Sequence, residues 1–456
     1  MYRLEARRSP LRQRGDDVPQ TLTPDPRISK GIAVSTNVLV IGGGAREHAL
    51  VWKLAASNRI GQLFAAPGNA GTISLAEHLA LGANDATGIL GEIEARGIDL
   101  VVVGPEEPLA RGLADRLTGA GVPVFGPTSE GARIESSKAW AKELMRERDV
   151  PTAMALTCDT LDDALTAVYD TPLPVVIKAD GLAAGKGVVI AESRVEAEQA
   201  VRSMMGDGSF GDAGSRVLIE EYLTGMEVSF LAITDGRTVM PLVPACDYKR
   251  AHDGDRGPNT GGMGAYTPPA VMTSEWNDWT MRHVITPVVE GMAARGITYR
   301  GVLYAGLMLT DHGPKVLEFN CRFGDPETQV ILPMLDADLV EICQATATGH
   351  LSSLDAPGWF PGACVGVVVA SGGYPGTYGA GHPIHGLNDV PDGGIVFHAG
   401  TTMRGSEVVT AGGRVLTCVG RGEDMASARA LAYEAARAVQ FDGAFFRADI
   451  AERELR

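Results

Sequence analysis

From Val38 onward, short apolar runs alternate with amphipathic stretches. The run VLVI (38–41), the glycines that follow it and AREHALVWKLAAS read as strand, glycine turn and helix, the opening of a βαβ unit. The same order recurs in IDLVVVGPEEPLARGLADRL (98–117) and in VPVFGPTSEGARIESSKAWAKELM (122–145). Consecutive strand–helix units imply a parallel sheet with right-handed crossovers. The pattern then changes. PLPVVIK (172–178) and VVIA (188–191) are two strands joined by the glycine-rich ADGLAAGKG, which predicts a flap-like hairpin. A helix near 194–205 and the strand VLIEEYL (217–223) complete a small α+β unit. Strands near 227–233, 239–243, 301–309 and 315–319 follow, then a β-rich region ending in a helix at 424–439. The prediction is a multidomain α/β and α+β protein with a parallel-sheet first domain.

At 456 residues the chain has room for about three domains at roughly 150 residues each. Its 57 glycines favour many tight strand–loop–helix turns over a helical bundle. The net charge of −16 disfavours nucleic-acid and anionic-membrane partners, and it asks any anionic substrate to find local basic groups. Ala356–Asn388 carries no charged residue, but nine glycines and four prolines exclude a membrane helix. The six cysteines form no CxxC pair, so reduced thiols in a cytoplasmic protein are expected. Residues 1–36 hold seven basic and four acidic side chains with four prolines, and read as a disordered tail or as upstream sequence from a misassigned start.

Five segments could carry chemistry. GGGAREH places backbone N–H groups and a helix N-terminus behind a strand, which suits phosphate. It departs from the dinucleotide fingerprint, because the third glycine position is Glu47. KADGLAAGKG sets Lys178 and Lys186 around glycines that let backbone approach a phosphate chain, or it is a plain surface flap. In VLEFNCRFGDPETQ (316–329), Glu318, Asn320 and Arg322 share one face if the strand runs that far. That set suits a hard cation and phosphate, or a polar edge strand. CDYKR (246–250) and GPNTGGMGAY (257–266) read as a charged cluster and a flexible covering loop.

Together, VLVIGGGAREHAL, APGNAGT, VGPEEPL, FGPTSEGARIESSKAWAK, VIKADGLAAGKGV, GPNTGGMGAYTP and LEFNCRFGDPETQ resemble the phosphoribosylamine–glycine ligases of the ATP-grasp superfamily, from about Asn37 to Asp449. The resemblance implies a substrate-phosphate-binding domain at 37–136. It implies an ATP-grasp domain at 137–358 with a small lid at about 155–224, and a C-terminal domain at 359–456. It implies ATP, Mg2+ or Mn2+, glycine and 5-phosphoribosylamine as ligands, in a monomer or weak oligomer. Lys138, Lys178, Gly185, Lys186 and Gly187 would face ATP phosphates, Glu220, Glu221 and Leu223 the adenine, and Glu227 the ribose. Glu318 and Asn320 would hold the metal, and Gly44, Asn69, Glu106 and Asp325 would line the phosphoribosylamine pocket. Asp247, Lys249 and Arg322 would lie nearest the reacting glycine.

Many ATP-grasp enzymes carry a second metal-binding acid on the preceding strand; here it reads GVLYAGLML, which leaves Asp325 as the substitute. An ATP-grasp carboxylase should lack GPNTGGMG. A nicotinamide dehydrogenase would need the third glycine, and a noncatalytic nucleotide-binding regulator would not need the metal ligands.

Overall fold

The computed structural model describes residues 35–182, 187–206 and 214–456. Residues 1–34 of the expected 1–36 tail, and flap residues Gly185 and Lys186, lie outside the described residues, while Thr36 already begins the first strand. Ser35–Arg456 forms one compact unit.

The first sheet is parallel, in the order β3-β2-β1-β4-β5. Its strands are β1 (Thr36–Gly42), β2 (Ile60–Pro67), β3 (Glu77–His78), β4 (Leu100–Val103) and β5 (Val124–Phe125). The helices α1 (Ala45–Ala55), α2 (Ala86–Arg96), α3 (Glu106–Ala110), α4 (Leu113–Gly119) and α5 (Ser129–Ser136) follow its strands. The apolar runs become strands because both faces are covered: Val38 to Ile41 and Leu100 to Val102 are fully buried. Strand order reverses between β1 and β4, so Gly42–Gly44 and Gly104–Glu106 meet at the sheet's C-terminal edge, where such folds bind ligands.

Ser137 ends α5 and caps α6 (Lys138–Glu147), accepting the Trp140 N–H at 3.2 Å, which puts Lys138 and Lys142 on successive turns of one face. The small antiparallel sheet runs β6-β9-β7-β8, from β6 (Ala155–Cys158), β7 (Val175–Ala179), β8 (Val188–Ala191) and β9 (Val217–Glu221). The predicted hairpin is there: Val175 to Lys178 pair with Ala191 to Val188. One face packs on α7 (Leu161–Asp170) and α8 (Arg194–Met205). Ala155, Val176, Lys178, Ile190 and Glu220 share the other.

The next sheet runs β11-β10-β16-β17, built from β10 (Met226–Thr234), β11 (Val239–Pro241), β16 (Gly301–Thr310) and β17 (Gly313–Asn320). Strands β12 (Cys246–Asp247) and β15 (Gly264–Thr267) enclose the hairpin β13 (Arg250–His252) and β14 (Arg256–Asn259). Helices α9 (Ser274–Thr280) and α10 (Thr286–Ala294) flank a π-helical turn, Met281–Ile285. After β17 come α11 (Thr328–Ile331), β18 (Leu335–Asp336), α12 (Leu339–Thr348) and β19 (Gly358–Trp359). The last region holds β20 (Ala363–Ala370), β21 (Gly394–His398), β22 (Thr401–Arg404), β23 (Glu407–Thr410), β24 (Arg414–Gly422) and α13 (Met425–Ala438). Its sheet, β12-β15-β20-β24-β21, takes in two strands from the segment that contains GPNTGGMG.

Two expectations shift. The strand VLIEEYL ends at Glu221, and β17 ends at Asn320, so Arg322 lies beyond it. Glu318 and Asn320 still share a face, opposite Gly306 and Tyr304, while a register break between Gly306 and Leu307 leaves Leu317 without a cross-strand partner.

Candidate active site

Three groups of side chains line the region between these sheets. In the first, Lys178 donates to the Leu317 carbonyl at 3.0 Å and pairs with Glu220 Oε2 at 2.9 Å. Lys142 lies 3.3 Å from the other Glu220 oxygen and donates to Thr152 and Ala153. Burial lowers the Lys142 ammonium to about 8, with Glu220 opposing. Lys138 donates to the Gly181 carbonyl at 2.9 Å, and burial lowers its pKa while Glu318 raises it. Gly187 accepts from the Ala179 N–H at 2.9 Å, which closes the base of the flap. Leu223, Ala153, Met308 and Leu317 form a small separate apolar cluster beside these lysines. A slot with an apolar end and three cations fits a nucleoside triphosphate. Glu221, expected to present its backbone, binds the Met154 N–H and Lys315 with its carboxylate.

The second group surrounds Asp247. Lys249 reaches Glu227 at 2.6 Å and Asp247 at 3.2 Å. Burial, with Glu327 and Glu227 nearby, raises the Asp247 carboxyl to about 7 against the pull of Lys249. Against its own burial, Asp247 and Glu227 hold Lys249 well above the usual lysine range. Glu327 accepts from Ser229 at 2.9 Å and from Tyr304 at 3.0 Å. Glu227, expected near the ribose, is thus paired with Lys249.

The third group sits at the strand-order reversal. Arg322 pairs with Glu135 at 2.9 Å and Glu106 at 3.2 Å, and donates to Asn320 Oδ1 at 3.3 Å. Arg46 pairs with Glu47 at 2.6 Å and lies 4.0 Å from Glu106. Against burial, Arg322 and Arg46 hold Glu106 below the usual carboxylate range, whereas burial wins at Glu135 and raises it. Asp325 binds Arg414 at 2.8 Å and Gln329 at 2.7 Å, and Arg414 with Arg46 lowers its pKa despite burial. Asp325, expected at the substrate pocket and as a substitute metal ligand, thus has both an arginine and an amide partner.

Glu47, the residue that spoils the dinucleotide fingerprint, folds back over the turn. Its carboxylate takes the Gly44 N–H at 2.6 Å, and a Cβ on Gly104 would come within 2.1 Å of it. The amide expected to meet a phosphate is therefore engaged. Asn69 spans the same turn: Nδ2 donates to the carbonyls of Gly43, Gly44 and His398. His48 Nδ1 accepts the His398 N–H at 2.8 Å, and burial lowers the His48 imidazole to about 3. Three guanidiniums thus face four carboxylates, a set suited to an amine and sugar hydroxyls as much as to a phosphate.

Residues 36–135 match the N-domain model of phosphoribosylglycinamide synthetase, 136–328 its ATP-grasp (A) domain and 364–453 its C domain. The chain belongs to the phosphoribosylglycinamide synthetase family. It is 49% identical over 422 residues to the phosphoribosylamine–glycine ligase of Allochromatium vinosum, covering 92% of this chain and 98% of that one. The Vibrio cholerae enzyme of the same name is 47% identical over the same length. The solved phosphoribosylamine–glycine ligase of Thermotoga maritima superposes with a TM-score of 0.79 at 35% identity, over 91% of this chain and all of that one. A biotin carboxylase domain from Hydrogenobacter thermophilus, at 17% identity and a TM-score of 0.71, shares the fold. As a family member the chain is an ATP-dependent ligase.

Sequence reasoning missed Lys142, Glu135, Arg46 and Arg414. Lys142 could have been found, since it lies one helical turn beyond Lys138. Glu135 and Arg46 are charges at helix positions that otherwise face apolar core. Arg414 carries no such sign; only the sheet that joins β15 to β20 and β24 brings it to Asp325.

The metal expectation fits the donors present. Glu318 and Asn320 offer two oxygens on one face, and glycine at 306 leaves that face open, with an added Cβ 3.4 Å from the Glu318 side chain. Among the described residues no group of three or more His, Cys, Asp or Glu could hold a metal. Two protein oxygens completed by phosphates and water match the coordination magnesium prefers.

Proposed function

We propose that this chain joins glycine to 5-phosphoribosylamine with hydrolysis of ATP, giving glycinamide ribonucleotide, ADP and phosphate for purine synthesis, through a glycyl phosphate. Family membership supports the overall reaction. The observation that supports the intermediate is the arrangement of three lysines, Lys138, Lys142 and Lys178, beside the Glu318–Asn320 face. The six cysteines are buried, so no thiol is offered for a covalent acyl-enzyme. Phosphoryl transfer asks mainly for positioning and charge neutralisation, which these residues can supply.

Lys138 and Lys178 hold the phosphates, and Leu223, Met308 and Leu317 pack the adenine. Glu318 and Asn320 hold Mg2+ or Mn2+, which neutralises charge on the phosphates when bound. Lys249 holds the glycine carboxylate. Asp247, with a carboxyl near neutrality, takes a proton from the attacking amine. Arg46, Arg322 and Asp325 orient the phosphoribosylamine. Action in the cytoplasm is consistent with these substrates, and no helix among the described residues is long and apolar enough to cross a membrane.

The test is ADP release from ATP, magnesium and glycine, with phosphoribosylamine generated in place, and hydroxylamine added to a second sample. Glycinamide ribonucleotide should form with all substrates, and glycine hydroxamate should form with hydroxylamine. Ligation without any hydroxamate, at hydroxylamine concentrations that leave the enzyme active, would remove the glycyl phosphate from the scheme.

A further inference from the structure

The residue between Asp247 and Lys249 is Tyr248, and it is buried on the far side of the backbone from both. Two guanidiniums lie over its ring, Arg447 at 4.7 Å and Arg453 at 4.6 Å from the centroid. Its hydroxyl accepts the Ala451 N–H at 3.0 Å. All three partners belong to the last ten residues of the chain. Arg447 is 1% exposed, the largest fully buried side chain, and is held by Asp449 at 2.6 Å, Asp255 at 2.9 Å and the Arg250 carbonyl at 3.0 Å.

The same segment grips the loop elsewhere. Arg453 donates to Tyr266 at 2.9 Å, and Tyr266, the cross-strand partner of Cys246, donates to Glu454 at 2.7 Å. Asp253 accepts the Ala448 N–H and Asp449 accepts the Gly254 N–H, at 2.8 and 2.9 Å. By contrast β12, which carries Asp247, has only two register pairs with β15. Beyond those pairs the backbone stays tied to the 260–264 stretch, by the Tyr248 N–H to the Gly264 carbonyl at 3.0 Å and by the Met263 and Thr260 N–H groups to the Tyr248 and Lys249 carbonyls at 2.8 Å, and the C-terminal segment adds the hold on the Tyr248 side chain.

We propose that the C-terminal segment Arg447–Glu454 positions Asp247 and Lys249, by clamping the Tyr248 side chain with two arginines and the Ala451 N–H. The clamp rests on the reading that Asp247 and Lys249 serve the glycine. Its physical basis is that a guanidinium over an aromatic face is held by the ring's quadrupole, and two of them with a bond to the hydroxyl restrain the ring. Fixing one residue of an extended stretch sets the direction of both neighbours, which point the other way. Displacement of a reacting group by about 1 Å can lower rate on the order of a hundredfold.

Arg453→Met removes the charge and keeps the stem; Arg453→Lys keeps a cation over the rings. Tyr248→Phe keeps the ring and loses the Ala451 bond. Each is assayed in the full chain for kcat, for KM of glycine and of ATP, and for melting midpoint. Arg453→Met should raise the glycine KM and lower kcat, together about tenfold or more in kcat/KM, while the ATP KM and the folded fraction at assay temperature hold. Arg453→Lys should recover most of the loss, and Tyr248→Phe should show a smaller change of the same kind. Asp247→Asn is run beside them. If it abolishes ligation while Arg453→Met and Tyr248→Phe keep wild-type glycine kinetics, the clamp is overturned and the reading of Asp247 stands. If the ATP and glycine KM values rise alike, the segment is a general brace and the clamp is again overturned. If Asp247→Asn ligates normally, the reading fails and the clamp with it.

Discussion

Arg322→Met tests whether the third group of charges is held together as described. Arg322 is the shared partner of Glu135 and Glu106, at 2.9 and 3.2 Å. Removing one partner of a buried pair costs about 3–5 kcal/mol, because the other charge stays desolvated. The Glu106 side chain is 31% exposed and keeps Arg46 at 4.0 Å, so its share is screened. The Glu135 side chain is 9% exposed and keeps the Cys321 N–H at 2.8 Å and the Cys321 thiol, both neutral donors. The loss should therefore fall near the low end, about 3 kcal/mol at pH 8. With an unfolding entropy of about 2.1 cal/mol/K per residue over roughly 420 residues, that is a fall in melting midpoint of about 3 °C.

The pH dependence carries the sharper test. Burial already raises the Glu135 carboxyl, with Arg322 opposing, and the substitution raises it further. A carboxyl raised in the folded state contributes stability that is complete below its unfolded value, about 4.3, and is lost as pH rises through the folded value. The variant's deficit should accordingly be larger at pH 8 than at pH 5.5. Adding Glu135→Gln should return at least half of it at pH 8. Scanning calorimetry of the four proteins of this cycle at both pH values reads these effects. A deficit that is equal at both pH values, and unrelieved in the double variant, would refute the account of Glu135 as the stranded charge.

Glu318→Gln should cut turnover by orders of magnitude, each tenfold being about 1.4 kcal/mol, while equilibrium dialysis still finds ATP bound; wild-type turnover at low magnesium would place the metal elsewhere. Gly44→Val should weaken phosphoribosylamine use and spare the ATP KM, since a Cβ there comes within 2.8 Å of the Glu47 carboxylate and 3.8 Å of Asp325; collapse of ATP affinity in a folded protein would count against it. Asp247, raised to about 7 by burial and by Glu327 and Glu227, contributes stability that is complete below about 4 and disappears as pH climbs to 7. Melting midpoints of Asp247→Asn should therefore gain on wild type between pH 5 and 8, and parallel curves would refute the raised carboxyl.

The parallel sheet was legible because its strands are buried on both faces and write themselves as VLVI and LVVV, and the hairpin of β7 and β8 because glycines separate two β-branched runs. Glu318 and Asn320 were legible through a period of two. What escaped depends on distance along the chain. Arg414 meets Asp325 across 89 residues and Arg322 meets Glu135 across 187, and no local pattern records such pairings. Glu47 is legible only as a departure from the dinucleotide fingerprint. Its length lets the carboxylate curl back to the Gly44 amide, so one N–H of the turn is met within the chain.

The sheet that joins β15 to β20 also sets an order of manufacture. All the residues assigned to ATP, metal and glycine precede Gln329, but Gly264 to Thr267 find their partners only at Cys364 to Val367. A ribosome adding about 5–20 residues per second leaves that edge without its partner for about 5–20 s. From about residue 322 onward the growing chain holds those groups but not the strand that frames them, and an open edge invites pairing with other chains. Messages cut short between these two points would yield chains prone to aggregation rather than partly active enzyme.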